Sequence, residues 1–406
     1  MKVLIGSVIL MIALGAPIAQ AQGIPYPSPT PANPSKPIEV AGLTVSGSLA
    51  ASLSATSNVR LDPTEISDHR WQTDASVSLT KSGTKGMLMV YGDYTKRQAF
   101  DDKTESQLAS GGGLQGQYHL NSQWTFTGVA ESLESVIGKD NPNQFNGYLN
   151  GIAQEQTLST TLKYDDDTFY LELETRAQEM DNFTQIRVTA LREVMTQNRK
   201  EKNISTTYGR PTSWGKYYAI GGVQSINYIG NAIALPEDRD SDGWRYGLGT
   251  EFKHGKTSGV MRMFAFRQNF EANSIPTVDD VVGELQTNWQ VASHWQISLL
   301  AERTFDETNI QGSGGIFTNA YGVGLLYQPQ PKYYAKASVA RQKYSIAASN
   351  LGADADSAEV SLGWNVAQGW SITFTATVLN QDVNDATLAE LAYSDREAIV
   401  TATYTF

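Results

Sequence analysis

From Gly42 to its last residue the chain repeats one pattern: segments of roughly ten to fifteen residues in which apolar and polar side chains alternate. Successive side chains of a strand point to opposite faces, so each segment has one greasy wall and one polar wall. In TFYLELETR (168–176), Phe169, Leu171 and Leu173 share a face, opposite Tyr170, Glu172, Glu174 and Arg176. In AEVSLGWNV (358–366), Ala358, Val360, Leu362, Trp364 and Val366 oppose Glu359, Ser361, Gly363 and Asn365. GWSITFTATV (369–378) sets Trp370, Ile372, Phe374, Ala376 and Val378 against Ser371, Thr373, Thr375 and Thr377.

The breaks between segments come in two kinds, in turn. Tight polar turns lie at 81–85, 120–123, 165–168, 210–215, 254–257, 291–294, 329–332 and 366–369. Longer loops lie at 60–67, 99–104, 139–154, 178–199, 230–241, 271–277, 306–315, 345–354 and 382–392. Eight turns and nine loops join 18 strands, with 16 as the alternative count. Short turns at one end and long loops at the other are the marks of an outer-membrane barrel. The expected fold is all-β, a transmembrane antiparallel up-and-down barrel over residues 42–406. In lipid an open sheet edge would leave unpaired backbone groups at several kcal/mol each, so the sheet must close. A barrel this wide encloses an aqueous lumen unless something fills it.

Six tryptophans, Trp124, Trp214, Trp289, Trp295, Trp364 and Trp370, stand within a few residues of a tight turn. Trp71 and Trp244 follow long loops, at the opposite strand ends. Core tryptophans would favour strand middles; rings at both ends fit aromatic girdles at the two membrane interfaces. The chain ends in EAIVTATYTF (397–406), where Ala398, Val400, Ala402, Tyr404 and Phe406 share the greasy wall. Glu397, Thr401, Thr403 and Thr405 face the lumen, with Ile399 the misfit among them. This last strand is expected to pair with the first, and Tyr404 and Phe406 to form the signal read by the barrel-assembly machinery.

The N-terminus carries Lys2, the apolar VLIGSVILMIALGAPIA, and a small-x-small site at Ala19-Gln20-Ala21. It reads as a signal peptide, 1–21, and the missing cysteine excludes a lipoprotein anchor. Residues 22–41 open as QGIPYPSPTPANPSKPIEV, a proline-rich periplasmic linker that should stay out of any sheet ladder. No later stretch of about 20 apolar residues exists to make a spanning helix.

Net charge −11 and a pI near 4.9 argue against nucleic acid as partner. Four histidines, His69, His119, His254 and His294, assemble no acid, base and nucleophile, so the chain is not expected to be an enzyme. The run SGGG (110–113) precedes no helix, and suits close strand packing rather than a phosphate cradle. Asp238, Asp240 and Asp242 before Gly243 match the first half of a calcium loop, but Gly249 stands where its bidentate Glu belongs. A solvated acidic loop is the stronger reading there, and no cofactor is expected beyond weak Ca²⁺. Within 178–199, Val188, Leu191, Val194 and Met195 recur at helical spacing. The segment is either a short helix narrowing the mouth or a strand rising above the membrane.

By alternation the lumen-facing set includes Asp74, Asp93, Arg97, Gln115, Gln117, Glu131, Glu172, Glu174, Arg176, Arg245, Glu251, Glu284, Gln286, Gln290 and Glu302. Charges of both signs mixed with amides suit hydrated, neutral or weakly charged cargo.

The opening strand LAASLSATSNVRLD (49–62), the repeated long hairpins and the closing TATYTF together resemble the β-barrel porin 2 family. What that resemblance implies is an outer-membrane exit for a secreted polysaccharide. Inner-membrane machinery would make the polymer, and a periplasmic export protein would stand below the barrel. A diffusion porin or small-solute uptake channel is the first alternative, and a non-conducting structural or adhesive barrel the second. In each case the expected surroundings are outer-membrane lipid and lipopolysaccharide of a Gram-negative cell.

Overall fold

The computed structural model describes residues 37–58, 65–101, 107–137, 151–165, 169–188, 191–196, 199–228, 239–306, 313–349, 351–384 and 392–406. The signal peptide and most of the linker lie outside them. In chain order the strands are β1 (Ile38–Val40), β2 (Leu43–Thr56), β3 (Asp68–Gly83), β4 (Gly86–Ala99), β5 (Gln107–His119), β6 (Trp124–Ile137), β7 (Gly151–Asp165), β8 (Tyr170–Val188), β9 (Leu191–Thr196) and β10 (Arg199–Thr212). They continue as β11 (Gly215–Tyr228), β12 (Ser241–His254), β13 (Thr257–Phe270), β14 (Val278–Ala292), β15 (Trp295–Asp306), β16 (Ile316–Gln330), β17 (Tyr333–Ile346), β18 (Gly352–Ala367), β19 (Trp370–Val383) and β20 (Tyr393–Thr405). Among the described residues no helix forms.

Every pairing is antiparallel between neighbours, and β20 returns to β2, from Ser48↔Thr405 to Thr56↔Glu397. Without β1 and β9, this ring is a closed 18-stranded barrel. β9 folds back on the top of β8, Val188↔Leu191 to Phe183↔Thr196, so the described residues of the 178–199 segment are strand rather than helix. Helical spacing of four apolar residues there yields to ladder bonds with a paired neighbour. β1 corrects the expectation that the proline-rich segment stays outside the sheet: Ile38–Val40 pairs with Leu43–Val45. Pro37 is the last proline of that segment, and after it backbone N–H groups return. Ala41 and Gly42, both with positive φ, make the tight reversal.

The greasy wall faces outward. Leu49, Leu53, Val77, Leu88, Leu158, Tyr246, Leu248, Met263, Val339, Leu362 and Val378 are all 40% exposed or more. Only lipid makes such a continuous apolar band stable. The inner wall is polar and small. Hydroxyls pair across it at Ser46–Ser78 (2.8 Å), Ser48–Ser76 (2.8 Å), Ser52–Thr401 (2.9 Å) and Ser361–Thr375 (3.0 Å). Three inward tyrosines each lie over the glycine directly opposite: Tyr91 over Gly113, Tyr218 over Gly249 and Tyr334 over Gly363. A Cβ at Gly249 would stand 2.3 Å from the Tyr218 ring, so a hydrogen at the glycine is what admits the aromatic.

Candidate functional site

The two ends of the barrel differ. The tight turns lie at the end that holds Phe406, the periplasmic end of an outer-membrane barrel. Phe406 and Gly47 exchange both backbone hydrogen bonds at 3.0 Å, and the Phe406 ring packs on the glycine. Tyr404 lies 6.0 Å from Phe406 and 4.8 Å from Trp370, ring to ring.

Trp214, Trp289, Trp295, Trp364 and Trp370 are exposed on the outer surface near this end, and Trp71 and Trp244 near the other. Trp124 is half-buried against Tyr164, with centroids 4.9 Å apart. At the far end Trp244 stacks on Tyr246, and Trp71 donates to the Thr73 hydroxyl at 2.9 Å.

Inside, the polar residues gather into charge-compensated clusters. Arg176 meets Glu155 (3.2 Å), Lys216 meets Glu251 (3.2 Å), Arg262 meets Glu284 (3.2 Å) and Arg70 meets Glu397 (3.7 Å). Arg245 lies within electrostatic reach of Glu174 on β8, over the small Ser205 and Gly222 between them. Tyr91 donates to Glu131 at 2.5 Å across β5, and Tyr170 to Glu172 at 2.6 Å. Asp74 accepts from Gln72 (3.0 Å) and Thr95 (2.8 Å), and Arg97 donates to Gln72 (3.2 Å). Asp93 lies close enough to Tyr91 to interact with it, and Gln115 is buried in the inner wall. Gln117 and Gln286 share the inward parity of their strands. Gln290 turns down onto the Ala292 carbonyl at 2.6 Å. Glu302 sits directly opposite Glu284.

Alternation alone would have added Glu155, Arg262 and Glu201 to this inward set. The tyrosine–glycine pairs needed the register, which no single strand carries.

The three aspartates of 238–242 do not converge within the described residues. Asp238 lies outside them, Asp240 accepts the Tyr228 backbone N–H at 2.6 Å, and Asp242 sits in β12 opposite Ser225. Asp68, His69 and Asp101 have donor atoms within 4.8 Å of one another. Asp68 already serves two backbone N–H groups, of His69 (2.6 Å) and Asp101 (3.1 Å), which explains its burial as the cap of a strand end.

A departure from a plain cylinder lies at the mouth end of β14 and β15. Their ladder stops at Gly283↔Arg303, although β14 starts at Val278 and β15 runs to Asp306. Beyond the stop, Phe305 and Phe317 keep the parity of lipid-facing residues. Yet they pack on Phe266, which faces inward on β13, at 4.9 and 6.3 Å between centroids. Phe266, Val278, Phe317 and Ala347 form a buried cluster, with Phe270, Val282 and Phe305 against it. The top of the β15–β16 hairpin therefore leans into the lumen and lays its outer face on the inner face of β13 and β14.

A closed 18-stranded barrel with an apolar outside and a polar, ion-paired inside is a porin-like outer-membrane channel protein. The chain matches the family described as Putative beta-barrel porin 2 over residues 36–404, and it belongs to that family. The family is one of porins, not of enzymes. A Pseudomonas aeruginosa OpdK solved with vanillate shares the fold at TM-score 0.51 and 8% identity, over 89% of this chain and 98% of that one. Acinetobacter baumannii OccAB4 aligns at TM-score 0.48 and 14% identity, over 92% and 100% of the two chains. The ferric citrate transporter FecA aligns at TM-score 0.49 and 9% identity, over 89% and 78%. No functionally curated protein matches.

Proposed function

We propose that this barrel is a passive outer-membrane conduit for hydrated carbohydrate, carrying a secreted polysaccharide to the cell surface. One observation carries the reading: the lumenal cations are held by carboxylates, and other lumenal carboxylates by hydroxyls and amides. With Arg176–Glu155, Lys216–Glu251 and Arg262–Glu284 paired, no bare cation stands among them to grip an anion, and the wall is dense in hydrogen-bonding groups. Such a wall exchanges hydrogen bonds with sugar hydroxyls and water alike, and neither traps nor repels a neutral polymer. The turn-lined end, which holds β1, is where a periplasmic export protein would dock. Deleting the gene tests the proposal, with loss of cell-surface polysaccharide as the expected result. Unchanged surface polysaccharide in the deletion strain would refute it.

Diffusion of small solutes is the second reading, favoured by the β15–β16 hairpin, which takes up lumen that a bulky chain would need. Liposome swelling with mono- and oligosaccharides separates the two. A sharp size limit at small sugars, with surface polysaccharide intact in the deletion strain, selects the second.

A further inference from the structure

The unzipped stretch between β14 and β15 is not left ragged. Continued in register, the ladder would set Val281 opposite Phe305. Instead the Val281 N–H donates to the Asp280 carboxylate at 2.6 Å, and its carbonyl accepts from Arg303 Nε at 3.1 Å. Arg303 Nη2 closes the unit on Asp280 at 2.8 Å, and the guanidinium lies over the Phe317 ring, 4.3 Å from its centroid. Two charged side chains thus occupy the backbone groups that a strand would otherwise take. Such groups are costly to leave bare at membrane depth, so side-chain caps let the seam stay open.

A second contact holds the hairpin farther up. Arg239, 1% exposed at the entry to β12, donates to the Ser313 carbonyl at 2.8 Å. A Cβ at Gly314 would meet Val278 Cγ2 at 2.6 Å, so the hairpin lies flush on the inner face of β14. Asp306 keeps the parity of the inward Glu302, on the hairpin face opposite Phe305, and lies within electrostatic reach of Arg199 and Glu201 on β10. Arg199 and Glu201 are themselves paired at 2.7 Å. β10 and β15 are separated by four strands along the wall, and the inward lean of β15 accounts for their nearness.

We propose that the inward-bent β15–β16 hairpin is the channel's constriction, latched by Asp280 and Arg303, and that Asp306 with Arg199 and Glu201 sets its charge selectivity. This rests on the channel reading above but not on the identity of the cargo. The placement makes Asp306, Arg199 and Glu201 specificity-determining residues for whatever permeates.

The test reconstitutes the full chain in planar bilayers with KCl as the probe. Arg303→Ala should raise single-channel conductance, roughly doubling it if the hairpin swings to the wall. Asp306→Asn should shift the K⁺/Cl⁻ permeability ratio toward chloride with little change in conductance. The chain has no cysteine, so Val278→Cys with Gly314→Cys gives a clean cross-link. A Cβ at 314 would lie within the roughly 3.5–4.5 Å of Cβ278 that a disulfide spans. That disulfide should form in the folded barrel and leave conductance at the wild-type level.

A disulfide that fails to form overturns the inward placement. Unchanged conductance in Arg303→Ala together with an unchanged permeability ratio in Asp306→Asn, in a barrel that conducts, overturns the constriction alone. If the wild type and both variants pass no current, the channel reading falls and the constriction falls with it. The cross-link then still reports whether the hairpin is folded inward.

Discussion

The β2–β20 seam and the β14–β15 split treat the barrel's ladder in opposite ways. At the seam, β2 and β20 pair without a break from Ser48↔Thr405 to Thr56↔Glu397. Above the last pair Asp395 continues the closure, accepting the Thr56 hydroxyl at 2.6 Å and the Asn58 N–H at 2.9 Å. At the β14–β15 split the strands part after Gly283↔Arg303, and a carboxylate and a guanidinium stand in for the missing strand. Both solutions satisfy the same backbone groups. The seam makes the cylinder rigid, while the split trades one strand's worth of wall for a hairpin placed in the lumen. Closure is compulsory in lipid, but it need not be made by backbone everywhere.

The comparison breaks most severely at the seam. Deleting Tyr404–Phe406 removes the paired terminus of β20 together with its rings on Trp370 and Gly47. The expected outcome is loss of folded barrel from the outer-membrane fraction, seen as loss of the heat-modifiable band on a gel. Arg303→Ala, by contrast, should reach the membrane in normal amount. If both variants assembled equally well, the distinction between a compulsory seam and an optional one would collapse.

Next in size is a change inside the regular wall. Gly249→Ala puts a Cβ 2.3 Å from the Tyr218 ring. Tyr218 is 5% exposed and accepts from Arg262 Nε at 3.0 Å, so it has no free path out of the way. Overpacking of this kind costs about 1–3 kcal/mol. Urea titration in lipid vesicles should show the midpoint fall, while a wild-type midpoint would mean the tyrosine yields without cost.

How much of this was legible beforehand divides along the same line. Period-two alternation and the two kinds of break carried the strand number and the closure of the ring, because lipid punishes any strand that departs from either. Alternation likewise assigns Glu172, Glu174 and Arg176 to the face opposite Leu171 and Leu173, where Arg176 meets Glu155. The split was not legible. Leu299, Ala301, Arg303 and Phe305 continue a lipid-facing parity, and nothing local says that Phe305 turns onto Phe266. One signal was present, a guanidinium at position 303 on the greasy side. Its meaning depended on Asp280, which lies 23 residues away in another strand. The tyrosine–glycine pairs were hidden for the same reason, since register is a property of two strands.

Arg303→Ala also has a stability cost, smaller than that of Gly249→Ala. It uncovers the Val281 carbonyl and leaves Asp280 without its cation. Both side chains are more than a third exposed, so water replaces part of what is lost. About 1–2 kcal/mol is expected, read from the same urea titration. Asp280→Asn keeps the size of the side chain and should cost less than Arg303→Ala.

The smallest effect sharpens the contrast most. Ser52 and Thr401 share a hydroxyl hydrogen bond of 2.9 Å across the seam, on the inner wall. Their backbones are already fully paired, so the side chains add only a cross-strand contact worth about 0.2–1 kcal/mol. A double-mutant cycle with Ser52→Ala and Thr401→Val should therefore give a coupling near the bottom of that range. The same cycle on Asp280→Asn and Arg303→Ala should give a larger coupling, because those side chains hold backbone groups as well as each other. Coupling energies of equal size would mean that the Asp280–Arg303 unit is an ordinary surface ion pair. The β14–β15 split would then be held open by the packing of Phe266, Phe305 and Phe317 alone.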